Sequence, residues 1–368
     1  MKRIAIISTS YYPNIWNSQG RSTFSTAYGL ARKGYDVSVF TFTPKSATFK
    51  QQDGQVTVYY VGGVTNQDVT TLPFTDIGIW NERMLPLLLC AHFDFLILNN
   101  WHGWEAAKRY KQFFDTKILG FVPFLYSFTG WLKPLGFGLE QDIKNREIEF
   151  ISEVDTLVSH TEKFGKKLST YINREVFVIP NCHLDLSDAS PQEEKIVDGQ
   201  LCFVGRVNRE KSLERIIRVL PDVPAATLVV ASPESSQGYF SSLQRLAKSL
   251  DVEHRITFAG WLSTKHVREL YRTSALAIVP SQFEPYGYSA LDPMALGTPV
   301  AVSEWSCLEE YLDSKDMVFS SLDDLQDKIS SAIGVPTNKL LAGAAHNKLR
   351  TSTALSEASI TDMLDTLL

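Results

Sequence analysis

Short runs of β-branched and aromatic residues recur along this chain, each separated from the next by a stretch of helical periodicity. They read "RIAIIS", "DVSVFTF", "VTVYYV", "FDFLILNN", "KILGFV", "TLVSH" and "VFVIPN", then "LCFVGR", "TLVVAS", "ITFAGW", "LAIVPS", "PVAVSE" and "MVFS". Runs that are apolar at every position belong to strands covered on both faces, and strands that alternate with helices assemble into parallel sheets. The fold class is therefore α/β. A polar stretch from Asp185 to Gln200, "DLSDASPQEEKIVDGQ", interrupts the rhythm with Pro191 and a run of acids, which is the composition of a linker. A chain of 368 residues is also long for one hydrophobic core. Two sheet domains are expected, over residues 1–185 and 201–345, joined by a linker at 186–200. Beyond Gly334 come two weakly amphipathic stretches without strands, "TNKLLAGAAHNKLR" and "ALSEASITDMLDTLL"; residues 346–368 form a C-terminal helix able to pack back on the first domain.

The formal charge of −5 argues against nucleic acid as a partner, because binding a phosphate backbone calls for a basic surface. Cys90, Cys182, Cys202 and Cys307 lie far apart with no C-x-x-C, which favours neither a zinc site nor a disulfide framework and suits a reducing cytoplasm. The opening "MKRIAIISTS" is too short in its apolar part for a signal peptide. Met84 to Leu98, the longest apolar run, is broken by Pro86, His92 and Asp94, short of the roughly 20 apolar residues of a membrane helix. The expectation is a cytoplasmic protein. Its acidic excess sits in the second half, leaving the first half near neutral and able to rest peripherally on a membrane.

In open parallel sheets ligands gather outside the carboxyl ends of the strands. There, after "LAIVP", the chain continues "FEPYGYSALDPMALGTPVAV". Gly287 permits a tight strand-to-helix turn and close approach of a ligand. The amides of Tyr288, Ser289 and Ala290, at the positive end of the helix dipole, form a natural phosphate site. Asp292, one turn beyond Ser289 on the same face, suits ribose hydroxyls, and Glu284 reaches a different part of the same ligand. Either acid alone is commonly just a dipole partner or a solvated loop residue. The second feature is "FVGRVNREKSLERIIRVL", where Gly205, Arg206 and Lys211 follow another strand. Arg206 offers a planar fork and Lys211 a point charge for a diphosphate, although such cations are often ordinary surface residues of a βα loop.

"GRVNREKS", "ITFAGWLSTKHVRELYRTSALAIVPSQFEPYGYSALDPMALGTPVAVSE" and "VFVIPNCHLDL" together resemble the retaining nucleotide-sugar glycosyltransferases of family 4. That family has the GT-B fold, two facing Rossmann-like domains with a cleft between them. The resemblance runs from about Leu201 to Leu312 and covers the first domain more loosely. It implies a donor site of Gly205, Arg206, Lys211, Glu284, Tyr286, Gly287, Tyr288, Ser289 and Asp292. Within it Arg206 and Lys211 bind the diphosphate and Glu284 contacts the transferred sugar. Asp292 stands where the family usually has glutamate and binds the ribose. The family's paired glycines after the first strand are reduced to Gly20 in "NSQGRS". A histidine at the end of a later strand is missing from "KILGFVPFLYS", where Pro123 falls, and His102 in "NNWHGW" is the candidate to act in its place. The usual "IPNG" is "IPNC", with Cys182.

The implied activity is retaining transfer of a hexose from a nucleotide diphosphate sugar, UDP-linked by preference, to a carbohydrate or lipid-linked acceptor, as in cell-surface glycan biosynthesis. Glu284, Arg206, Lys211 and His102 are the catalytic candidates. Cations and amides can stabilise the departing diphosphate by themselves. The chain contains no D-x-D, so no metal and no cofactor beyond the nucleotide sugar is expected. Tyr12, Trp16, Trp101 and Trp104, with Gly20, are placed on the acceptor side, because aromatics on strand-end loops stack against sugar rings; Tyr11 and Trp131 share that character, and all of them also suit a core. A nicotinamide-dependent dehydrogenase would show G-x-G-x-x-G after a strand, which "ISTSYYPN" and "LCFVGRVNREKS" lack. A non-catalytic GT-B partner or glycan-binding protein, and a nucleotide-sugar epimerase, are the alternatives.

Overall fold

The computed structural model describes residues 1–11, 17–64, 72–126, 137–182, 196–232, 237–312, 317–334 and 356–368. The chain divides into two compact units, Met1–Asn181 with Glu357–Leu368, and Cys182–Ser356. Of the expected linker, residues 186–195 lie outside the described residues, as do "TNKLLAGAAHNKLR", Tyr12, Trp16 and Trp131.

Unit 1 runs β1 (Arg3–Ser8), α1 (Ser18–Arg32), β2 (Asp36–Phe42), β3 (Phe49–Asp53), β4 (Val56–Val61), α2 (Ile77–Leu89), β5 (Phe95–Asn99), α3 (Trp104–Tyr110), β6 (Lys117–Phe121), α4 (Phe137–Glu153), β7 (Thr156–Ser159), α5 (Glu162–Ile172) and β8 (Phe177–Val178). Its sheet has the order β3-β4-β2-β1-β5-β6-β7-β8. Ile6 in β1 lies opposite Val39 on one side and Ile97 on the other, and all three are buried. Covering an Ile or Val side chain on this scale stabilises by about 1.5–3 kcal/mol, which is why unbroken apolar runs occupy the middle of the sheet. The exception is β3, "FKQQD", which pairs antiparallel with β4 at the sheet edge and leaves Lys50, Gln51 and Gln52 exposed. Polar side chains on an edge strand discourage pairing with another chain. The same polarity hides the strand from a reading based on apolar runs.

Unit 2 runs β9 (Gln200–Val204), α6 (Glu214–Val219), β10 (Thr227–Ala231), α7 (Gln237–Ser249), β11 (Ile256–Gly260), α8 (Thr264–Thr273), β12 (Leu276–Val279), α9 (Tyr288–Leu296), β13 (Val300–Ser303), β14 (Val318–Phe319) and α10 (Leu322–Gly334). All its pairings are parallel, in the order β11-β10-β9-β12-β13-β14. From β9 the chain moves outward to β10 and β11, then returns to lay β12 against the other side of β9. The order thus reverses between β9 and β12. The C-terminal helix α11 (Glu357–Asp365) belongs to unit 1, where Leu364 joins the core cluster of Leu30 and Val37. It lies so close to α1 that a Cβ on Gly29 would come within 2.1 Å of the Thr361 hydroxyl oxygen. Lys33 meets Asp362 at 2.6 Å and Asp365 at 3.0 Å, and Arg32 meets Glu357 at 2.6 Å.

Candidate functional site

The reversal of strand order in unit 2 separates the loops that leave β9 and β12 at their carboxyl ends, the place where open α/β sheets receive ligands. From β9 come Gly205, Arg206 and a short 3-10 turn, Arg209–Lys211. A Cβ built on Gly205 would meet nothing closer than 3.6 Å, so this side of the loop is open. From β12 come Glu284 and the glycine turn into α9. The two loops are tied by the backbone, the Gln282 N–H donating to the Glu210 carbonyl at 2.9 Å. Sequence reasoning missed Glu210 and Gln282, since a backbone link carries no side-chain signature.

Glu284 and Lys211 form an ion pair of 2.5 Å, with only 7% and 13% of their side chains exposed. The Glu284 amide donates to the Ser306 carbonyl at 3.1 Å, which brings the loop after β13 into the site as well. Ser306 in turn donates from its hydroxyl to the Ser303 carbonyl at 2.6 Å. Arg206 differs from Lys211. Its side chain is 55% exposed and lies 3.5 Å from Glu210, one helical turn further on, leaving most of its fork toward solvent. Lys211 is therefore a held, largely buried charge and Arg206 an exposed one.

Gly287 adopts φ +80 and opens α9 without a side-chain cap. Two constraints require glycine there: the left-handed backbone, and Tyr311, whose ring would lie 2.9 Å from an added Cβ. The Ala290 and Leu291 amides both donate to the Gly287 carbonyl, at 2.9 Å each. This corrects the expected set of phosphate-binding amides. Ala290 is turned inward by a tightened first turn, and Tyr288 and Ser289 are the helical amides ahead of the intrahelical ladder. The Ser289 hydroxyl oxygen is buried and has no hydrogen-bond partner. Tyr286 and Tyr288, both buried, stack with ring centroids 6.4 Å apart and planes within 5°. Asp292 is buried one turn beyond Ser289. The tertiary structure thus gathers Gly205, Arg206, Lys211, Glu284, Tyr286, Gly287, Tyr288, Ser289 and Asp292 on neighbouring strand ends of one sheet.

Gly20, His102, Trp101 and Trp104 lie in unit 1. Gly20 occupies the first turn of α1, its N–H donating to the capping Asn17 side chain at 2.8 Å. Unit 1 reverses strand order between β1 and β5, and a neutral network ties the two strand ends together. Gln19 donates to the Asn99 carbonyl at 2.8 Å, Thr23 donates to the Ser8 hydroxyl at 2.8 Å, and the Asn99 amide donates to the Thr23 hydroxyl at 3.0 Å. Asn100, buried, holds φ +79 and ψ 170, a conformation usually reserved for glycine. Its side chain accepts from the Trp101 N–H at 2.8 Å, a local bond that helps asparagine tolerate the strain. Sequence reasoning passed over Asn100; the Asn-Asn pair closing a buried strand was the available signal.

His102 is buried beside the Trp101 ring, 4.6 Å away between centroids, and that of Phe74 at 6.2 Å. Burial lowers its pKa from 6.5 to about 4, so the imidazole is neutral at ordinary pH. Its Nδ1, the indole nitrogens of Trp101 and Trp104, and the Asn99 side-chain oxygen are all buried without hydrogen-bond partners. Trp104 packs edge-on against Phe150. Among the described residues no helix is long and apolar enough to cross a membrane.

Residues 188–338 match the family described as glycosyl transferases group 1. The D-inositol 3-phosphate glycosyltransferase of Mycolicibacterium smegmatis is 26% identical over 345 residues, covering 82% of this chain and 76% of the relative. Sucrose-phosphate synthase from Thermosynechococcus elongatus superposes with a TM-score of 0.83 at 16% identity, over 100% of this chain and 98% of its own. Anabaena HepE, solved in complex with UDP and glucose, superposes with a TM-score of 0.73 at 15% identity, over 100% and 99% of the two chains. The fold is that of the GT-B glycosyltransferases, and within it residues 188–338 are similar to glycosyl transferases group 1.

Proposed function

We propose that this protein transfers a hexose from a nucleotide diphosphate sugar, UDP-linked by preference, to a carbohydrate or glycolipid acceptor with retention of anomeric configuration. One observation carries the reading: the strand ends at the unit 2 reversal bring Arg206 and Lys211 together with Glu284 and the open start of α9. In the reaction the bond between the anomeric carbon and the diphosphate oxygen breaks, and the acceptor oxygen bonds to the same face of that carbon. The acceptor proton passes to the departing diphosphate oxygen. Negative charge grows on that oxygen, and preorganised cations and amides stabilise it. Arg206 closes on the diphosphate from solvent, Lys211 acts from its fixed position, and the Ser289 amide and hydroxyl supply donors. Asp292 accepts from the ribose hydroxyls, while Glu284 contacts the sugar and holds Lys211 in place. These groups supply the required charge without a divalent ion. UDP is preferred on the strength of the HepE likeness, whose structure holds UDP and glucose. Gly20, Trp101, Trp104 and His102 belong to the acceptor side, where the unpartnered buried nitrogens and the Asn99 oxygen await hydrogen-bonding groups.

A thermal-shift panel of UDP-, GDP- and TDP-sugars tests the donor, because a ligand that binds only the folded state raises apparent stability. UDP-sugars should raise the melting temperature of the parent protein and not that of Arg206→Ala, whose exposed side chain is not needed for folding. A shift retained in full by Arg206→Ala moves the diphosphate elsewhere. The anomeric configuration of the product, read by NMR, tests retention; an inverted product ends that part of the reading. Turnover in the presence of a chelator should be undiminished.

A further inference from the structure

Helices α6 and α7, with the turn that carries Arg209, border an open groove of about 530 Å³ within unit 2. Arg209, Arg218 and Arg245 line it, all exposed. Arg3, Arg32, Arg109, Arg146 and Arg206 are each paired with a carboxylate. Among the described residues none of the three groove arginines has such a partner, although Glu214 lines the same groove. One carboxylate oxygen of Glu214 is occupied by the Tyr239 hydroxyl, which donates to it. Arg209 lies over the Tyr239 ring, 5.9 Å from its centroid. Tyr239 and Leu243 are buried and form an apolar floor, and Ser242 adds a hydroxyl.

We propose that this groove binds a phosphomonoester of a small hydroxylated molecule, at a site that adjoins the β9 strand-end loop through Arg209 and is otherwise built from α6 and α7. Three unpaired guanidinium forks in one concavity suit a dianionic phosphate, whose oxygens accept bidentate bonds. The remaining oxygen of Glu214 would repel a bare anion but accepts from a hydroxyl. That selects a phosphate carried on a polyol body over inorganic phosphate. The Tyr239 ring and Leu243 offer the apolar surface against which such a body rests, and the volume falls within the range of small-molecule sites.

Titration calorimetry with glucose 6-phosphate as the probe tests this, beside inorganic phosphate, glucose and vesicles containing phosphatidic acid. Glucose 6-phosphate should bind saturably and more tightly than inorganic phosphate, and glucose should not bind. Arg218→Glu combined with Arg245→Glu, checked by an unchanged melting temperature, should weaken binding at least tenfold. Arg206→Ala should leave it unchanged, so that loss of nucleotide binding and loss of groove binding are read separately. Binding that survives the double charge reversal, or that disappears in Arg206→Ala, overturns the proposal. Absence of glucose 6-phosphate binding also overturns it. So does vesicle binding without binding of the free phosphomonoester, which assigns the groove to a lipid headgroup.

Discussion

Both units reverse strand order near the middle of a sheet that is parallel at that point, yet the loops at the two reversals have opposite chemical character. At the β9 and β12 ends of unit 2 stand Arg206, Lys211, Glu284 and Asp292, with Arg209 in the adjoining turn and Arg215 in the first turn of α6 as further cations. At the β1 and β5 ends of unit 1 stand Ser8, Gln19, Thr23 and Asn99, bonded to one another, beside a neutral His102 among aromatic rings. Topology alone supplies the location of a site; side-chain charge decides what each location can hold. A charged end suits a diphosphate, and a neutral, partly unsatisfied end suits hydroxyl groups.

Four measurements break or sharpen that contrast. Lys211→Ala strands Glu284 as a buried charge, and removing one member of such a pair typically costs about 3–5 kcal/mol. Hydrogen exchange should then accelerate across unit 2, while unit 1 keeps its protection. Restoring neutrality with Lys211→Met and Glu284→Gln together should recover most of the stability without restoring nucleotide binding. Next, Gly287→Ala places a Cβ against Tyr311 in a left-handed backbone, and we expect a loss of about 2–4 kcal/mol in chemical denaturation, again confined to unit 2. In unit 1, Gly29→Ala pushes on Thr361 and should cost about 1–3 kcal/mol, with exchange rising first in α11.

The smallest effect is acid sensitivity. Burial lowers the pKa of both His102 and His160 from 6.5 to about 4. Between those values the unfolded chain binds more protons than the folded one, so stability is fully present above about pH 6.5 and is lost as pH falls toward 4. Each histidine contributes at most ~1.4 kcal/mol per pH unit over that window. Unit 1 should lose exchange protection there before unit 2, whose described histidines, His254 and His266, are exposed. His102→Gln should reduce the slope; an unchanged slope means that His102 is not held neutral by burial.

The apolar runs "RIAIIS" and "LAIVP" announced central parallel strands because burial on both faces leaves no polar position in the pattern. "FKQQD" escaped for the converse reason, since an exposed edge strand has no such requirement. The candidate donor-site residues could be singled out because a glycine turn and its flanking acids sit within one short segment. His102 was legible as a loop histidine, but its burial beneath Phe74 and Trp101 was not, because Phe74 comes from a distant part of the chain.

Local pattern therefore settled most of the strands and helices, where the glycine turns fall and which residue types stand at each strand end. Those outcomes depend on backbone conformation and on burial averaged over a few residues, and both are written in consecutive side chains. The Lys211–Glu284 pairing, the inward turn of the Ala290 amide, the docking of α11 against Gly29 and the convergence of three arginines between α6 and α7 were settled by folding. Each depends on distances between groups far apart in the chain or on a single hydrogen bond's direction, which hydrophobic periodicity does not encode.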